Sequence, residues 1–412
     1  MTTRPPEATP TPPSTPTHDA SRRVALKAAA AAALAPVILP ARAADRIKIG
    51  FINTFSGPGG GLGKHYRDAM DLWLESNGGR MGGLPAEIVY GDDQLKPEVG
   101  KQLADRMVER DRIDVLMGFN FSNVLMASVD TPFKAGIPVL SCNAGPAPLA
   151  GAGCNPLLFA VAFQNDGAAE STGAYLQQQR KTDSVFLLAP NYQAGKDMMG
   201  GFKRYFKGKI AGEVYPALNQ LDFAAEIAQI GAAKPQAAFV FMPGGLGVNF
   251  VRQWAQSGVG AQVPLYSVFT VDHVTLKAIG DAAVGMQMGS HYVEDLPNAA
   301  NRRFVEVFTK KHAYVPSEYA AQTWDAANLL DGAIRAVNGK IEDKPALLAA
   351  LRRAPFTSVR GDFRFNTNQF PVQTYYLREV VKGPSGALGF VTRGAVLKDH
   401  PDPYVSQCPM KA

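Results

Sequence analysis

The chain has 412 residues, of which 46% are hydrophobic and 19% are charged, and its formal net charge is +6. No dense Lys/Arg cluster with interleaved aromatic residues is present, which argues against a nucleic-acid-binding protein. The three cysteines form no C-x-x-C pair and the six histidines lack metal-ligand spacing, so the sequence predicts no metal site.

Residues 1–43 are predicted to be absent from the mature protein. SRRVALK at residues 21–27 precedes the apolar run AAAAAALAPVILPA, which is too short to span a bilayer, and small residues follow around Ala43. This pattern is typical of a secretory signal peptide. The twin arginines favour a Tat signal over a Sec signal, although Ala25 stands where a Tat signal usually has phenylalanine. The Pro/Thr-rich residues 1–20 are expected to be a disordered extension.

The rest of the chain alternates short β-rich runs with helical patterns. RIKIGFINTF, AEIVYGD, IDVLMGFN and IPVLSCN form a first series, and SVFLLAP, AAFVFMPGG and VPLYSVF form a second. This alternation predicts two α/β units with parallel sheets and crossover helices. Two helical stretches follow, and FRFNTNQFPVQTYYLREV is then expected to form a pair of antiparallel strands around a polar turn.

The glycine-rich segment SGPGGGLG, after the first run, is not a nucleotide-binding motif. Pro58 and His65 stand where a phosphate loop needs glycine and Ser or Thr, and neither register of the glycines matches a dinucleotide fingerprint. Two interpretations stay open, a tight strand-to-helix turn and a turn that faces a ligand other than a nucleotide.

Six segments rich in Gly, Ser and Asn are predicted to follow strands at the same edge of their sheets. They are SGPGGGLG, FNFSN, SCNAGP, PNYQAG, MPGGLG and FTVD. Each alone is typical of an ordinary turn, but six together indicate a ligand pocket. No G-x-S-x-G or H-E-x-x-H motif is present, so we expect a binding protein rather than an exported enzyme, with a sensory receptor domain as a third hypothesis.

The order and spacing of these segments resemble those of the leucine-binding-protein type of periplasmic substrate-binding protein, the receptors of ABC importers. The resemblance covers residues 46 to about 400. It implies a type I fold, in which two Rossmann-like parallel α/β lobes are joined by a three-strand hinge and close on a small ligand. It also implies a periplasmic monomer that delivers its ligand to an inner-membrane ABC permease without a cofactor.

On this resemblance, residues 44–163 and 292–355 form the first lobe, residues 164–291 and 356–395 form the second, and residues 396–412 form a tail. The implied ligand-binding residues lie in the loops that end the strands. In the first lobe they are Leu62, Asn120, Phe121, Ser122, Ser141, Asn143, Ala144 and Gly145. In the second lobe they are Tyr192, Gly244, Gly245, Phe269 and Asp272.

Ser122 matches the family serine at a helix start, where its hydroxyl and nearby amides bind a carboxylate; a plain helix cap would also explain a serine there. Tyr192 matches the aromatic residue that closes over the ligand, and Trp324 is expected to pack nearby without contacting it. Gly145 and Phe269 replace the family's hydroxyl residue and its acidic partner for a ligand ammonium. We therefore expect an aromatic or hydrophobic monocarboxylate, with an amino acid neutralised by Asp272 as the alternative.

The cysteines of an exported protein predict one disulfide and one spare thiol. Cys142 lies in a strand-end loop where relatives carry small residues other than cysteine. We therefore expect a disulfide between Cys154 and Cys408, which would hold the C-terminal tail on the first lobe.

Overall fold

The computed structural model describes residues 10, 11 and 45–410. The predicted leader, including its twin arginines and cleavage site, lies outside these residues except for positions 10 and 11. Among the helices of the described part, none combines the length and the apolar character that crossing a bilayer requires.

The first sheet is built from the first series of predicted strands. Its order is β2-β3-β1-β4-β5-β6, and every pair is parallel except β2 with β3. Six of the seven residues of β1 are buried, as expected for a strand covered by helices on both faces. The strands are β1 (Ile47–Asn53), β2 (Arg80–Met81), β3 (Leu84–Asp92), β4 (Val115–Gly118), β5 (Val139–Ser141) and β6 (Leu158–Ala160).

The second sheet joins the second strand series to the C-terminal strands. Its order is β12-β13-β11-β10-β9-β7-β8, with β14 also paired to β13. The strands β8, β7, β9, β10 and β11 are parallel, and β12, β13 and β14 are antiparallel additions. The strands are β7 (Ser184–Leu188), β8 (Lys209–Val214), β9 (Ala237–Phe241), β10 (Leu265–Val268), β11 (Gln287–Ser290), β12 (Arg364–Phe365), β13 (Pro371–Lys382) and β14 (Leu388–His400).

Helices connect the parallel strands of each sheet. Those of the first sheet are α1 (Gly60–Ser76), α2 (Pro97–Glu109), α3 (Ser122–Ser128), α4 (Asp130–Lys134) and α5 (Ala147–Ala150). Those of the second are α6 (Asp166–Gln178), α7 (Gln193–Tyr205), α8 (Ala224–Ala233), α9 (Gly245–Ser257) and α10 (Leu276–Ile279). The last three are α11 (Ala299–His312), α12 (Glu318–Ala336) and α13 (Lys344–Arg353).

The chain passes three times between the two lobes. After β11 it returns to the first lobe, where Phe304 and Phe308 of α11 and Ala320 of α12 share a buried cluster with Ala69 and Leu72 of α1. After α13 it crosses again to supply β12, β13 and β14 to the second sheet. This is the two-lobed type I architecture that the resemblance implied, and the predicted antiparallel pair is present as β12 and β13.

Two local features go beyond the sequence expectations. The helical segment between β4 and β5 is divided at Val129 into α3 and α4, and Pro132 occupies the first turn of α4, where its missing N–H costs no hydrogen bond. Strand β14 was not predicted. It extends to His400, so residues 396–400, expected in the tail, belong to the second sheet.

The predicted disulfide between Cys154 and Cys408 is present, with the two Cα atoms 5.6 Å apart. Cys142 is a buried free thiol, and burial raises its pKa to about 12, which makes it a poor nucleophile. Side chains also hold the tail in place, since Asn368 donates to both the Ala150 carbonyl and the Asp402 carboxylate.

Replacing both Cys154 and Cys408 by alanine is expected to lower the free energy of unfolding by about 2 to 4 kcal/mol, because the bond closes a loop of 254 residues. Urea denaturation measures this difference. A reductant should bring the wild-type protein to the stability of the double variant and leave the double variant unchanged. Equal stability of the wild-type protein with and without reductant would contradict this expectation.

Candidate functional site

A cavity lies between the lobes, at the loops that follow the carboxyl ends of the parallel strands. Its volume is about 20 Å³, room for about one water molecule, so a ring-sized ligand enters only when the lobes separate or wall side chains turn. The wall consists of Asn120, Phe121, Ser122, Asn143 and Phe163 from the first lobe, Asn165 from the first crossing between the lobes, Tyr192, Ala194, Met198, Phe241, Pro243 and Phe269 from the second lobe, and Tyr319 of α12.

Asn120 and Asn143 form a hydrogen-bonded pair on the first-lobe side of the cavity. Nδ2 of Asn143 donates to the backbone carbonyl of Asn120 at 2.8 Å and to its Oδ1 at 3.3 Å. Oδ1 of Asn120 also accepts from the Tyr66 hydroxyl at 3.0 Å. Within the described part of the chain, Nδ2 of Asn120 and Oδ1 of Asn143 are buried without any hydrogen-bond partner.

Ser122 and Asn165 continue this polar side. Ser122 begins α3, and its Oγ accepts from Nδ2 of Asn165 at 3.1 Å. Asn165 also donates to Asp197 at 2.8 Å and accepts from the backbone N–H of Gly145 at 3.0 Å. Because Oγ of Ser122 accepts in this contact, its own O–H is available to donate to a ligand.

Three helices begin at the cavity without a side-chain cap. They are α3 after Phe121, α7 after Tyr192 and α9 after Gly244. The N–H groups of a first helical turn have no partners within the helix, and the helix dipole is positive at this end. The starts of α3 and α7, at the wall residues Phe121 and Tyr192, therefore offer backbone N–H groups to a ligand without a cationic side chain.

Aromatic rings form the rest of the wall. Phe163 stacks on Phe269 with ring centroids 5.0 Å apart, and Tyr192 stacks on Phe241 at 6.1 Å. Phe269 has a φ of +49°, a left-handed conformation that is strained for a residue with a bulky side chain. Burial raises the pKa of Tyr192, so its hydroxyl stays protonated.

None of the thirteen wall residues carries a charge. Two buried carboxylates of the surrounding structure lie off the wall. Asp197 accepts from the Ala147 N–H, Asn165 and Gln193 at 3.1, 2.8 and 2.7 Å. Oδ1 of Asp272 accepts from the N–H groups of Val274 and Thr275 in its own turn, while its Oδ2 is buried without a hydrogen-bond partner in the described part of the chain. The described residues contain no cluster of His, Cys, Asp and Glu suited to a metal ion. The site is therefore built to enclose a ligand and offer it hydrogen-bond donors.

The sequence pattern of the periplasmic binding protein family matches residues 46–385. The chain belongs to this family. Leu/Ile/Val-binding protein homolog 6 of Brucella melitensis is 26% identical over 374 residues, which are 88% of this chain and 95% of that protein.

Solved structures of ABC transporter solute-binding proteins give the same assignment. One from R. palustris, in complex with benzoate, is 32% identical with a TM-score of 0.83, and the match covers 87% of this chain and 99% of that chain. Another, from Rhodopseudomonas palustris BisB5 in complex with 3,4-dihydroxy benzoic acid, is 27% identical with a TM-score of 0.82 and the same coverage. This periplasmic binding protein is thus an ABC solute-binding protein, a class that binds small molecules and works with ABC permeases.

Six of the thirteen residues expected at the site lie on the cavity wall of the binding protein. They are Asn120, Phe121, Ser122, Asn143, Tyr192 and Phe269. Leu62, Gly244 and Gly245 instead lie where the lobes touch, because a Cβ at Gly244 would be 3.1 Å from the Pro58 carbonyl and 3.3 Å from Leu62. The glycine-rich segment around Pro58 thus contacts the opposite lobe and does not line the cavity.

Four further expected residues support the wall without forming it. Ser141 donates to the carbonyl of Ala144 at 2.6 Å, and Asp272 holds its own turn. A Cβ at Gly145 would lie 2.0 Å from the carbonyl oxygen of Phe163, so no side chain fits at that position. Trp324, as expected, is off the wall and packs against Phe304 with ring centroids 5.1 Å apart.

Seven wall residues were not among the expected ones. They are Phe163, Asn165, Ala194, Met198, Phe241, Pro243 and Tyr319. The polar run Gln164-Asn165-Asp166 after an apolar strand is a signal that could have identified the Phe163 and Asn165 loop as another strand end. Phe241 and Tyr319 have the sequence surroundings of core residues and carry no such signal.

Proposed function

We propose that this solute-binding protein binds an aromatic or other hydrophobic monocarboxylate. The observation that carries the proposal is the composition of the wall, which combines hydrogen-bond donors from the first lobe with rings from both lobes and contains no charged side chain. Such a cavity matches a flat apolar body with a single anionic group.

The carboxylate is proposed to bind on the first-lobe side. Ser122 can donate its O–H, and the start of α3 contributes backbone N–H groups and a positive dipole end. Fixed neutral donors can hold one carboxylate in a buried site, because several hydrogen bonds offset the loss of hydration.

The ring of the ligand is proposed to lie among Phe121, Phe163, Tyr192, Phe241 and Phe269. Aromatic pairs with centroids 4.5 to 7 Å apart contribute about 0.5 to 1.5 kcal/mol beyond the burial of apolar area. The wall rings already pack with each other at such distances, so a ligand ring can take the place of one partner without loss of packing. The benzoate and dihydroxybenzoate complexes of the two solved relatives support this assignment.

A branched-chain amino acid is the second candidate, favoured by the name of the Brucella relative. A buried ammonium requires an anionic partner, and its absence costs several kcal/mol. Phe269 occupies the position of the family's acidic residue. Asp272, the proposed substitute, is not part of the wall, and its Oδ1 accepts from the N–H groups of Val274 and Thr275.

The biological setting is proposed from the same family assignment. We propose that residues 1–43 direct export and are removed, and that the mature protein acts as a monomer in the periplasm. The lobe limits at residues 163, 291 and 355 mark the three crossings between the lobes. These crossings are proposed to act as the hinge about which the lobes close on the ligand. The ligand would then pass to an inner-membrane ABC permease.

Calorimetric titration of protein that has been unfolded, stripped of ligand and refolded tests the proposal. We expect micromolar or tighter binding of benzoate or a substituted benzoate, because the cavity supplies both donors and rings. Leucine and valine should produce no binding heat, since their ammonium has no acidic partner. Micromolar binding of leucine or valine without binding of any aromatic acid would refute the proposal.

A further inference from the structure

The orientations of the Asn120 and Asn143 amides follow from their contacts. Nδ2 of Asn143 faces the backbone carbonyl of Asn120 at 2.8 Å, a contact that only the N–H₂ side of the amide can make. The same Nδ2 lies 3.3 Å from the side chain of Asn120, so Asn120 must turn its oxygen toward it. The remaining atoms, Nδ2 of Asn120 and Oδ1 of Asn143, are thereby assigned as a donor and an acceptor.

Both remaining atoms are buried and have no partner among the described residues, and both residues lie on the cavity wall. The pair therefore presents one unused donor and one unused acceptor. A buried polar atom that stays unpaired weakens binding, so a ligand that pairs with both atoms is preferred over one that pairs with the donor alone.

We infer that this pair selects ligands with a hydroxyl group, and that the preferred ligand is a hydroxylated aromatic monocarboxylate rather than the unsubstituted acid. This inference rests on the proposed function and specifies it further. A carboxylate has only acceptor oxygens, so it can use Nδ2 of Asn120 but is repelled by Oδ1 of Asn143. A hydroxyl donates its hydrogen to Oδ1 of Asn143 and can also accept from Nδ2 of Asn120.

An ammonium group could also donate to Oδ1 of Asn143, but the amide oxygen is neutral. The wall offers no carboxylate to offset the charge of a desolvated ammonium. A hydroxyl donates the same hydrogen bond at no such cost. The acceptor of Asn143 thus favours a neutral donor on a ligand whose single charge is its carboxylate.

The first test compares ligands on the wild-type protein by calorimetric titration. The probes are benzoate, the three hydroxybenzoate isomers and their methyl ethers, which keep the oxygen but lose the hydrogen. We expect at least one hydroxybenzoate to bind about tenfold or more tightly than benzoate, and its methyl ether to lose that gain. Equal affinity of benzoate and all three hydroxybenzoates would overturn the inference while leaving the proposed function intact, whereas failure of every aromatic acid to bind would overturn both.

The second test assigns the preference to the pair. Asn143→Leu removes the acceptor at nearly constant volume and should bring the affinity ratio of the preferred hydroxybenzoate to benzoate close to one. Asn191→Leu is the matched control, because Asn191 is exposed, lies in a neighbouring strand-end loop and is not on the wall, and its ratio should equal that of the wild type. A hydroxyl preference that persists in Asn143→Leu would overturn the assignment to this pair. Thermal melting of each variant confirms that it is folded.

Discussion

Replacing Phe269 by glutamate is expected to weaken binding of aromatic monocarboxylates at least a hundredfold at pH 8. Phe269 lies on the cavity wall, so its replacement puts a second carboxylate into the small cavity that is proposed to enclose the ligand anion. Two like charges about 5 Å apart at an effective dielectric constant of about 20 repel by roughly 3 kcal/mol, which is more than a hundredfold in affinity. Calorimetric titration with benzoate and the hydroxybenzoates measures the loss.

Phe269→Gln is the matched control, since glutamine has the same shape and no charge. It loses the stacking with Phe163 and should bind the aromatic acids less tightly than the wild type but well above Phe269→Glu. Burial raises the pKa of a glutamic acid, so lowering the pH from 8 to 5.5 protonates Glu at this position and should restore part of the affinity. The glutamine variant should show no such recovery. Equal affinities of the two variants at pH 8 would argue against an anionic ligand at this site.

Replacing Arg378 by methionine is expected to lower the free energy of unfolding by about 3 to 5 kcal/mol. Arg378 is fully buried in β13 of the second lobe and donates to Glu318 at the start of α12 in the first lobe at 2.9 Å. Burial alone would lower the pKa of Arg378, but the charges of Glu318, Glu294 and Asp272 raise it, so the side chain remains a cation. Its removal leaves these carboxylates buried without their shared cation.

Arg393→Met is the control, because Arg393 forms an exposed ion pair with Glu379 at 3.0 Å, and solvent screening makes such a pair contribute little to stability. Urea denaturation of both variants gives the comparison. Adding Glu318→Gln to Arg378→Met should recover part of the loss. A cost for Arg378→Met no larger than that for Arg393→Met would contradict a stabilising role for the buried pair.

The cost of Arg378→Met should also depend on pH. Burial is the largest cause that raises the pKa of Asp272 to about 6, and the charge of Glu318 adds to it, while Arg378 lowers it. Without Arg378 the pKa of Asp272 is higher in the folded variant than in the folded wild type, so the folded variant keeps this proton up to a higher pH. The unfolded chains of the two proteins titrate alike. The destabilisation should therefore be smaller at pH 5 than at pH 8.

The sequence by itself determined the parallel strands of the two sheets, since runs such as IKIGFIN are mostly apolar, as expected of strands covered on both faces. The edge that holds the cavity was also predictable, because the carboxyl ends of parallel strands meet there. Asn120, Ser122, Asn143 and Tyr192, which the resemblance placed at this edge, lie on the cavity wall. The disulfide could be predicted because Cys142 stands where relatives carry small residues other than cysteine, which left Cys154 and Cys408 to pair.

Only the tertiary structure decided which side chains reach the cavity. Phe163, Phe241 and Tyr319 have the local pattern of core residues, and their exposure to the cavity depends on how the two lobes face each other. Asp272 lies off the wall, where N–H groups of its own turn bind its Oδ1, and Gly145 can carry no side chain because the Phe163 carbonyl fills the space of a Cβ. Whether a side chain faces the cavity depends on contacts between residues far apart in the chain and on local backbone angles. Neither can be read from a pattern of residue types.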